Sequence, residues 1–548
     1  MSLAELMAAV SQLQVELVGV KSRVREGEVE NQSLRETITN LANENQLLKR
    51  RIFGNKTERS QTSELQLALG NLLDADQRLQ KQLDEAVAKA KAEGERADEG
   101  AVAPDKPKGK AGGRRNLLAS NLPRFLVEIF DEELEKTAKR IGFEEAQHLM
   151  FRRGGYSVLV KRTAKYEVPG KDGPTVLGVE APKTLFPRGI LHSSVVAHIL
   201  VQKFSLGVPH YRLEQHLGDQ GVELGRGTMC RYVEEAGNAL GATVVHAMWQ
   251  DALENGSVIS TDATSALIQP VKGEDGARQS CKKGHFFTAV VDTDHVLFAY
   301  AERHTQDFVK KLFGGFNGFL QCDAHAAYDV LERGPPREDG DGIKLVGCWA
   351  HCRRGFFEAA ICKYPIGIQG LMRIRAIYAA DEAFGKVPPA KRKLLRAHHL
   401  RPLLVDFFDW VKQARSTCEG RNLATKALGY AINQEKELMR VLDDGRLPLD
   451  NTRSERSLRK IVVGRKNWMF YGSDTHAEAA AAVFSVIASC RLHGIDPHQY
   501  LDEVLRVLPY WPKERYLELT PKSWKATRAK LRADELDAPL CSFTIPAV

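Results

Sequence analysis

The chain has 548 residues, with 78 Lys and Arg against 70 Asp and Glu and a formal net charge of +8. This length predicts several domains with at least one sizeable core, and the modest positive charge permits a nucleic-acid partner without requiring one. No long apolar run or hydrophobic leader is evident, and the nine cysteines are scattered, with none before Cys230. These features argue against a membrane span, a secretory signal and a disulfide framework, so we expect a cytoplasmic protein.

An apolar heptad repeat runs from residue 3 to residue 52 and is broken only at Gly27, Asn31 and Asn45. Asparagine at an a position costs stability but fixes the register and favours a two-stranded coil. An amphipathic helix packed on its own domain is the alternative, but a repeat of this length favours self-association. We therefore predict that residues 1–59 form a coiled-coil arm that makes the chain at least a dimer.

Three further segments precede the main body of the chain. Residues 60–93 carry leucines at helical spacing and predict a second helical segment. Residues 94–113 predict a linker, because glycine, proline and charged side chains leave almost nothing to bury. Residues 114–190 mix short apolar runs with turn signals, which predicts a small α+β module.

Residues 191–250 return to helical periodicity. Within them, segments 209–218 and 228–240 are separated by a glycine-containing turn. This arrangement is typical of a helix-turn-helix, whose second helix can enter the major groove of DNA. Helix pairs of this kind are also common in proteins that do not bind DNA. We therefore predict a helix-turn-helix-like DNA-binding region only in combination with the acidic and basic residues that lie after Gly256.

After Gly256 the pattern changes from helices to strands. The predicted strands are 257–262, 286–291, 295–301, 318–323 and 343–349, with a helix at 305–313 after the third strand. The order β-β-β-α-β-α-β, with acids closing the first and fourth strands, is typical of an RNase H-like α/β core. We assign residues 251–362 to the first part of this core, 363–446 to a helical insertion, 447–510 to its second part and 511–548 to a polar C-terminal tail. The predicted fold is thus multidomain α+β, with the core preceded by the helix-turn-helix region and the N-terminal coiled coil.

Two aspartates close predicted central strands of this core, Asp262 and Asp323. A single aspartate at a strand end is usually a turn residue, but two buried carboxylates on neighbouring strands repel one another and resist desolvation. A cation resolves that conflict, and Mg²⁺ prefers oxygen ligands. We therefore predict a Mg²⁺ (or Mn²⁺) site, with two ions about 3.5–4 Å apart clamping the attacking and leaving oxygens of a phosphodiester.

Glu455 is the candidate third ligand. It lies on a short predicted helix and shares a face with Leu458 and Val462, although most of its neighbours are cationic. An exposed ion pair with Arg459 is the simpler interpretation of this glutamate. The two aspartates favour a metal-binding role instead.

Basic side chains on and after the same helix are candidates for holding the DNA backbone. They are Arg453, Arg456, Arg459, Lys460, Arg465 and Lys466. Trp468 could contact a base or equally lie in the core.

Several motifs resemble the transposases of the insertion sequence 66 family, bacterial enzymes of the aspartate-aspartate-glutamate class. The strongest are GCWAHCRRGFFE at 347–358, LDNTRSERSLR at 449–459, VGRKNWMF at 463–470 and GIDPHQYL at 494–501. Weaker matches are FGNKTE at 53–58, LGVPHYR at 206–212 and LQCDAHAAY at 320–328. The resemblance implies that Asp262, Asp323 and Glu455 are the catalytic acids and that the enzyme excises and inserts a DNA element through its terminal repeats. Accessory transposition proteins and a nucleoid-associated location are further expectations.

Two departures from the family pattern bear on metals and on the first acid. Family members commonly carry paired cysteines in a zinc-ribbon before the helix-turn-helix, whereas residues 114–190 contain none. We therefore interpret this module as a cysteine-free relic and expect no zinc. The first acidic motif usually continues with glutamate and threonine, but here it reads Asp262-Ala-Thr264.

Cys348, His351 and Cys352 place three soft donors close together. A structural zinc site normally has four ligands, so a strand end leading into a helix explains them better.

We therefore predict a DNA transposase that binds element ends and catalyses Mg²⁺-dependent cleavage and strand transfer. One alternative is a DNA-binding regulator that has lost catalysis, and another is an RNase H-like nuclease or resolvase that never joins ends.

Overall fold

The computed structural model describes residues 77–98, 165–170, 173–178, 182–187, 189–269, 280–332, 342–538 and 540–547, with a few single positions before residue 43 and Leu159. Most of the coiled-coil arm predicted at 1–59 and most of the module predicted at 114–190 lie outside the described residues. Within those that are described, no helix combines the length and the apolar character needed to cross a membrane.

The described chain is mostly helical. In chain order the helices are α1 Gln77–Asp98, α2 Ser193–Leu200, α3 His210–Asp219, α4 Arg226–Leu240, α5 His246–Asn255, α6 Gln306–Phe313, α7 Trp349–Ile361, α8 Pro365–Glu382, α9 Pro389–Leu395, α10 Arg401–Thr417, α11 Leu423–Asn433, α12 Glu435–Met439, α13 Thr452–Trp468, α14 Asp474–Leu492, α15 Pro497–Val507, α16 Pro521–Lys530 and α17 Ala533–Asp537. Helix α1 continues past Gly94, so residues 94–98 of the predicted linker are helical, and the rest of that segment lies outside the described residues.

The strands form a two-stranded and a five-stranded sheet. They are β1 Lys165–Gly170, β2 Gly173–Gly178, β3 Val258–Ile268, β4 Lys282–Val291, β5 His295–Ala301, β6 Phe319–Gln321 and β7 Lys344–Val346. The larger sheet has the order β5-β4-β3-β6-β7, with β3, β4 and β5 antiparallel and β3, β6 and β7 parallel. All five predicted strands are therefore present. The helix expected between β6 and β7 is not seen in the described part of that connection, which holds a 3₁₀ turn at Asp329–Leu331.

The outer edge of this sheet is covered by α14. The backbone N–H of Val296 on β5 donates to the Ser489 hydroxyl at 3.0 Å, and that of Phe298 donates to the Ser485 hydroxyl at 2.8 Å. Both serines are buried. The helix thus satisfies donors that an uncovered edge strand would leave unpaired.

Helix α4 crosses α14 closely enough to require glycine. A Cβ on Gly237 would lie 2.5 Å from the carbonyl oxygen of Ala479. Helices α2 to α5 therefore join the sheet and α14 in one hydrophobic core.

A second core lies mostly among the helices between residues 349 and 446. It is formed mainly by α7, α8, α10 and α11, and α1 packs on it through Leu83 and Ala90. Segment 363–446 is almost wholly helical, as the sequence predicts.

The prediction of a polar tail at 511–548 is wrong. Trp511 and Trp524 are buried, and they join the first core together with Leu519 and Leu536. These apolar residues are spaced irregularly, which hides a packed segment from a search for helical or strand periodicity.

Candidate active site

The two predicted aspartates lie at matching positions on adjacent parallel strands. Ser260 of β3 is in register with Gln321 of β6, and their side chains are joined by a hydrogen bond of 3.1 Å. Asp262 and Asp323 each lie two residues farther along, and alternate residues of a strand face the same side. The two carboxylates therefore share one face, just beyond the end of the β3–β6 pairing.

Asp262 does not close its strand, contrary to the sequence prediction. Strand β3 continues to Ile268, paired with β4 alone after Ser260. Beyond Ser260, the backbone edge of β3 that faces β6 is therefore unpaired with β6, and Asp262 lies on this stretch. Its backbone neighbour Ala263 donates an N–H to the Asp262 carboxylate at 2.8 Å.

Helix α13, which carries Glu455, is fixed to β3 by buried polar side chains. The Ser454 hydroxyl donates to the carbonyl of Ser260 at 2.7 Å, and the Asn451 amide donates to the carbonyl of Thr261 at 3.2 Å. Both side chains are fully buried. The acceptors immediately precede Asp262, so the same contacts that hold the helix also hold the backbone of the first acid.

Gln321 of β6 connects this strand to β3 and to the segment before α13 by hydrogen bonds. It is buried, accepts from Ser260 and donates to the carbonyl of Pro448 at 2.9 Å, just before α13. Sequence reasoning missed Gln321, Asn451 and Ser454 as positioning residues. Their sequence signal was weak, because nothing in a short motif indicates that a polar side chain is buried. The burial becomes evident only once its hydrogen-bond partner, distant in the sequence, is known.

Glu455 points toward α7 rather than along its own helix. Its carboxylate lies 3.7 Å from the Arg354 guanidinium and 3.9 Å from His351 Nε2. The simpler interpretation of an exposed pair with Arg459 is therefore not the arrangement adopted. The inward face of α13 is formed by Ser454, Leu458, Ile461 and Gly464, with Glu455 at its border.

The electrostatics of Asp262 reflect this convergence of acids. Burial, together with the negative charges of Asp323 and Glu455, raises the pKa of Asp262 to about 7, against the lowering effects of the Ala263 N–H and Arg354. A carboxyl group held among other carboxylates is destabilised in its charged form. The acids at the end of β6 and on α13 thus both disfavour the charged form of Asp262 on β3.

This donor set fits a hard divalent cation, because it offers oxygen ligands and an excess of negative charge. Glu455 is nevertheless turned toward Arg354 and His351. In the described part of the chain, no group of three or more His, Cys, Asp and Glu side chains is close enough to hold one metal ion.

Cys348 and Cys352 have structural surroundings. Cys348 immediately precedes α7 and donates from its thiol to Asn451 Oδ1 at 2.9 Å, and both cysteines are buried. Burial raises the pKa of the Cys348 thiol to about 11. His351, by contrast, faces Glu455.

The six predicted DNA-binding cations lie on or near the outer side of α13. All are exposed except Arg465, which is half-buried and donates to the Thr264 hydroxyl at 3.1 Å. Lys460 donates to the carbonyl of Ser205 at 3.3 Å. Trp468 is half-buried and packs edge-on against Phe204, which places it at the core.

The predicted helix-turn-helix segments are α3 and α4, with α4 beginning two residues earlier than expected. Helix α4 buries one face against α14, including Met229, Val233 and Leu240. Its N-terminal Arg226 is paired with Glu214 at 2.9 Å. A carboxylate therefore already occupies the helix end that favours anions.

The sequence matches models of known protein families. The family model described as "Transposase IS66 family" matches residues 188–479, which include the five-stranded sheet and all three acids. Models described as "IS66 C-terminal element" and "Transposase C of IS166 homeodomain" match residues 485–522 and 40–127. The chain is an enzyme with a DDE transposase domain. It belongs to the IS66 family of transposases, which implies DNA binding and the use of divalent metal ions.

Relatives from Sinorhizobium fredii extend the similarity over most of the chain. The uncharacterized protein y4qI is 28% identical over 447 residues, covering 77% of this chain and 80% of the relative. The uncharacterized protein y4hP is 26% identical over 392 residues, covering 68% of this chain and 69% of the relative.

Proposed function

We propose that this transposase binds the ends of an insertion sequence and catalyses their cleavage and strand transfer in an RNase H-like core. The observation that carries the proposal is the matched placement of Asp262 and Asp323 beyond the β3–β6 register, with Glu455 on a helix fixed to the same strand. The strand order β5-β4-β3-β6-β7 supports the assignment of the core.

In the proposed reaction, water first hydrolyses a phosphodiester at the element end and leaves a free 3′-hydroxyl. That hydroxyl then attacks a phosphodiester of the target, whose 3′ oxygen departs. Asp262, Asp323 and Glu455 would hold the ions, Mg²⁺ or Mn²⁺ and two per site. When bound, these ions supply activation of the attacking oxygen and stabilisation of the departing one.

The remaining side chains would position the acids and the DNA. Gln321, Asn451 and Ser454 keep β3, β6 and α13 in fixed relation through buried hydrogen bonds. Arg354 and His351 orient Glu455. The exposed cations of α13 lie beside the acids and would hold the phosphate backbone through charge.

Two further parts of the proposal concern assembly and DNA contacts elsewhere. The heptad repeat at residues 3–52 supports an assembly of at least two chains. Helices α3 and α4 are the proposed helix-turn-helix, although Arg226 would have to leave Glu214 to reach a phosphate.

The test is cleavage and joining of duplexes that carry the inverted repeats found beside the gene, in Mg²⁺. Asp262→Asn keeps the shape of the side chain and removes one ligand charge, so cleavage should fall at least about a hundredfold, since metal activation contributes several kcal/mol. Asp409→Asn, an exposed change on α10, is the matched control and should cleave normally.

Each rival function gives a different product. A wild-type chain that cuts ends without joining them is a nuclease or resolvase. One that binds the ends and never cuts is a regulator. Full cleavage by Asp262→Asn would refute the proposed site.

A further inference from the structure

The chain makes a strained turn directly after α13. Met469 has φ 66° and ψ −48°, and the N–H of Phe470 donates to the carbonyl of Trp468 at 2.8 Å. This is a γ-turn with positive φ at its central residue, a form that is rare and strained for residues other than glycine. Such a conformation persists only where the surrounding structure enforces it.

The surroundings enforce it from both sides. Before the turn, Trp468 packs against Phe204, and the N–H of Met469 donates to the carbonyl of Arg465 at 2.8 Å. After the turn, Tyr471 is 1% exposed and pairs with the end of β3, donating its N–H to Leu267 at 2.9 Å. The turn is therefore anchored to the two elements that carry Glu455 and Asp262.

The two side chains between these anchors face solvent. Met469 is 68% exposed and Phe470 is 41% exposed, although both are large and apolar. A strained backbone and exposed apolar side chains at one rigid position together indicate a binding surface, because neither is needed to pack the core. We call Met469 and Phe470 the apolar wedge.

A row of exposed side chains leads from Glu455 to the apolar wedge. Arg456, Arg459, Val463 and Lys466 are exposed and follow one another at intervals of three or four residues, which places them along one side of α13. Helix α13 runs alongside β3. Near the start of the helix Ser454 forms a hydrogen bond with Ser260, and near the end of the helix Arg465 forms one with Thr264. Cations between the acids and the wedge fit the backbone of a duplex lying along α13.

We infer that the apolar wedge inserts between neighbouring base pairs of the DNA held along α13 and unstacks one step. Proteins that kink DNA insert phenylalanine and methionine in this way. This inference rests on the proposed function, because it takes the phosphate to be cut as lying at the three acids. From Glu455 to Met469 the helix advances roughly 21 Å at 1.5 Å per residue, which corresponds to about six base steps of 3.4 Å.

The experiment measures base unstacking directly. The fluorescent base analogue 2-aminopurine is placed singly at successive positions of end-containing duplexes, and the full-length chain is added without divalent metal so that no cleavage occurs. Fluorescence should rise most at about six steps from the cleaved phosphate, because an unstacked base is no longer quenched by its neighbours.

Two variants each remove one side chain of the apolar wedge. Phe470→Ala changes an exposed side chain, and Met469→Gly also relieves the positive φ. Each should abolish the fluorescence maximum, and the double variant should weaken end binding about tenfold. Leu394→Ala, which removes an exposed apolar side chain from α9, is the matched control and should behave as wild type.

The outcomes separate this inference from the proposed function. A wild-type chain that cleaves ends yet gives flat fluorescence, or a maximum that survives in Phe470→Ala, overturns the wedge alone. If the double variant instead lowers the mass measured by light scattering, the surface joins two chains and the wedge is again refuted. Failure of the wild-type chain to bind any end duplex refutes both proposals.

Discussion

Buried charges are treated differently in the two cores of this molecule. In the helical insertion, Arg396 is fully buried, and its guanidinium pairs with Asp381 at 2.7 Å and donates to the carbonyls of Val441, Asp444 and Leu447. At the sheet, Asp262 receives one backbone N–H and faces two other acids. The charge of Arg396 is thus balanced by partners within the fold, whereas the negative charge of Asp262 is not.

This difference separates a structural charge from a functional one. An ion pair that has all its partners contributes to the register of the helices around it and has no capacity left for a ligand. A carboxylate whose pKa is raised by other acids is a candidate for chemistry, because a bound cation can relieve the repulsion. Burial alone does not distinguish the two cases.

The largest expected effect comes from breaking the satisfied pair. Arg396→Met should lower the free energy of unfolding by about 3 kcal/mol, because buried Asp381 keeps only Arg392 as a partner, at 2.6 Å, and three backbone carbonyls lose their donor. Urea unfolding followed by the fluorescence of Trp349 and Trp410, which both lie in the second core, reports the change.

The control for this prediction is an exposed pair in the same insertion. Lys412 and Glu435 lie 2.8 Å apart at the surface, and Lys412→Met should leave the urea midpoint almost unchanged. Equal effects of Arg396→Met and Lys412→Met would contradict the comparison.

The second prediction concerns the unsatisfied acid and pH. The pKa of Asp262 is raised from 3.8 to about 7, so the folded state retains a proton that the unfolded state loses near pH 4. Stability therefore falls as pH rises from about 4 to 7, and the full cost is present above pH 7. The shift corresponds to at most about 4 kcal/mol, and we expect about 2 because the side chain is partly exposed.

Thermal melts of metal-free protein test this prediction. Asp262→Asn should melt above wild type at pH 8 and close to it at pH 4, because the amide cannot ionise and still accepts the Ala263 N–H. Asp409→Asn, exposed on α10, should follow wild type throughout. A constant difference between Asp262→Asn and wild type across this range would show that ionisation of Asp262 is not the cause.

The sequence was sufficient for those parts of the fold that repeat regularly. Periodicity located the five strands and the helices around them, and the acidic residues stood out because carboxylates at central strands need an explanation. Glu455 stood out as a carboxylate that shares a helix face with apolar residues among cations, and the family resemblance implied its catalytic role.

The remaining parts depend on contacts that no local pattern encodes. The buried side chain of Gln321 is explained by Pro448, which is far away in the sequence. The continuation of β3 past Asp262 follows from its pairing with β4 alone, and the packing of Trp511 and Trp524 follows from the shape of the first core. In each case the partner is brought near only by the fold.

The smallest expected effect tests the cations that lie beside the unsatisfied acids. Arg456 is exposed, and we expect it to contact DNA through phosphate. Arg456→Ala should weaken binding to unrelated duplexes alike and reduce the slope of log affinity against log salt by about 0.9, the value for one phosphate contact. Lys391→Ala, an exposed cation on α9, is the control and should leave the slope unchanged. If Arg456→Ala instead changes the affinity for one DNA sequence only, Arg456 contacts a base. The cations beside the three acids would then contribute to sequence recognition as well as to phosphate binding.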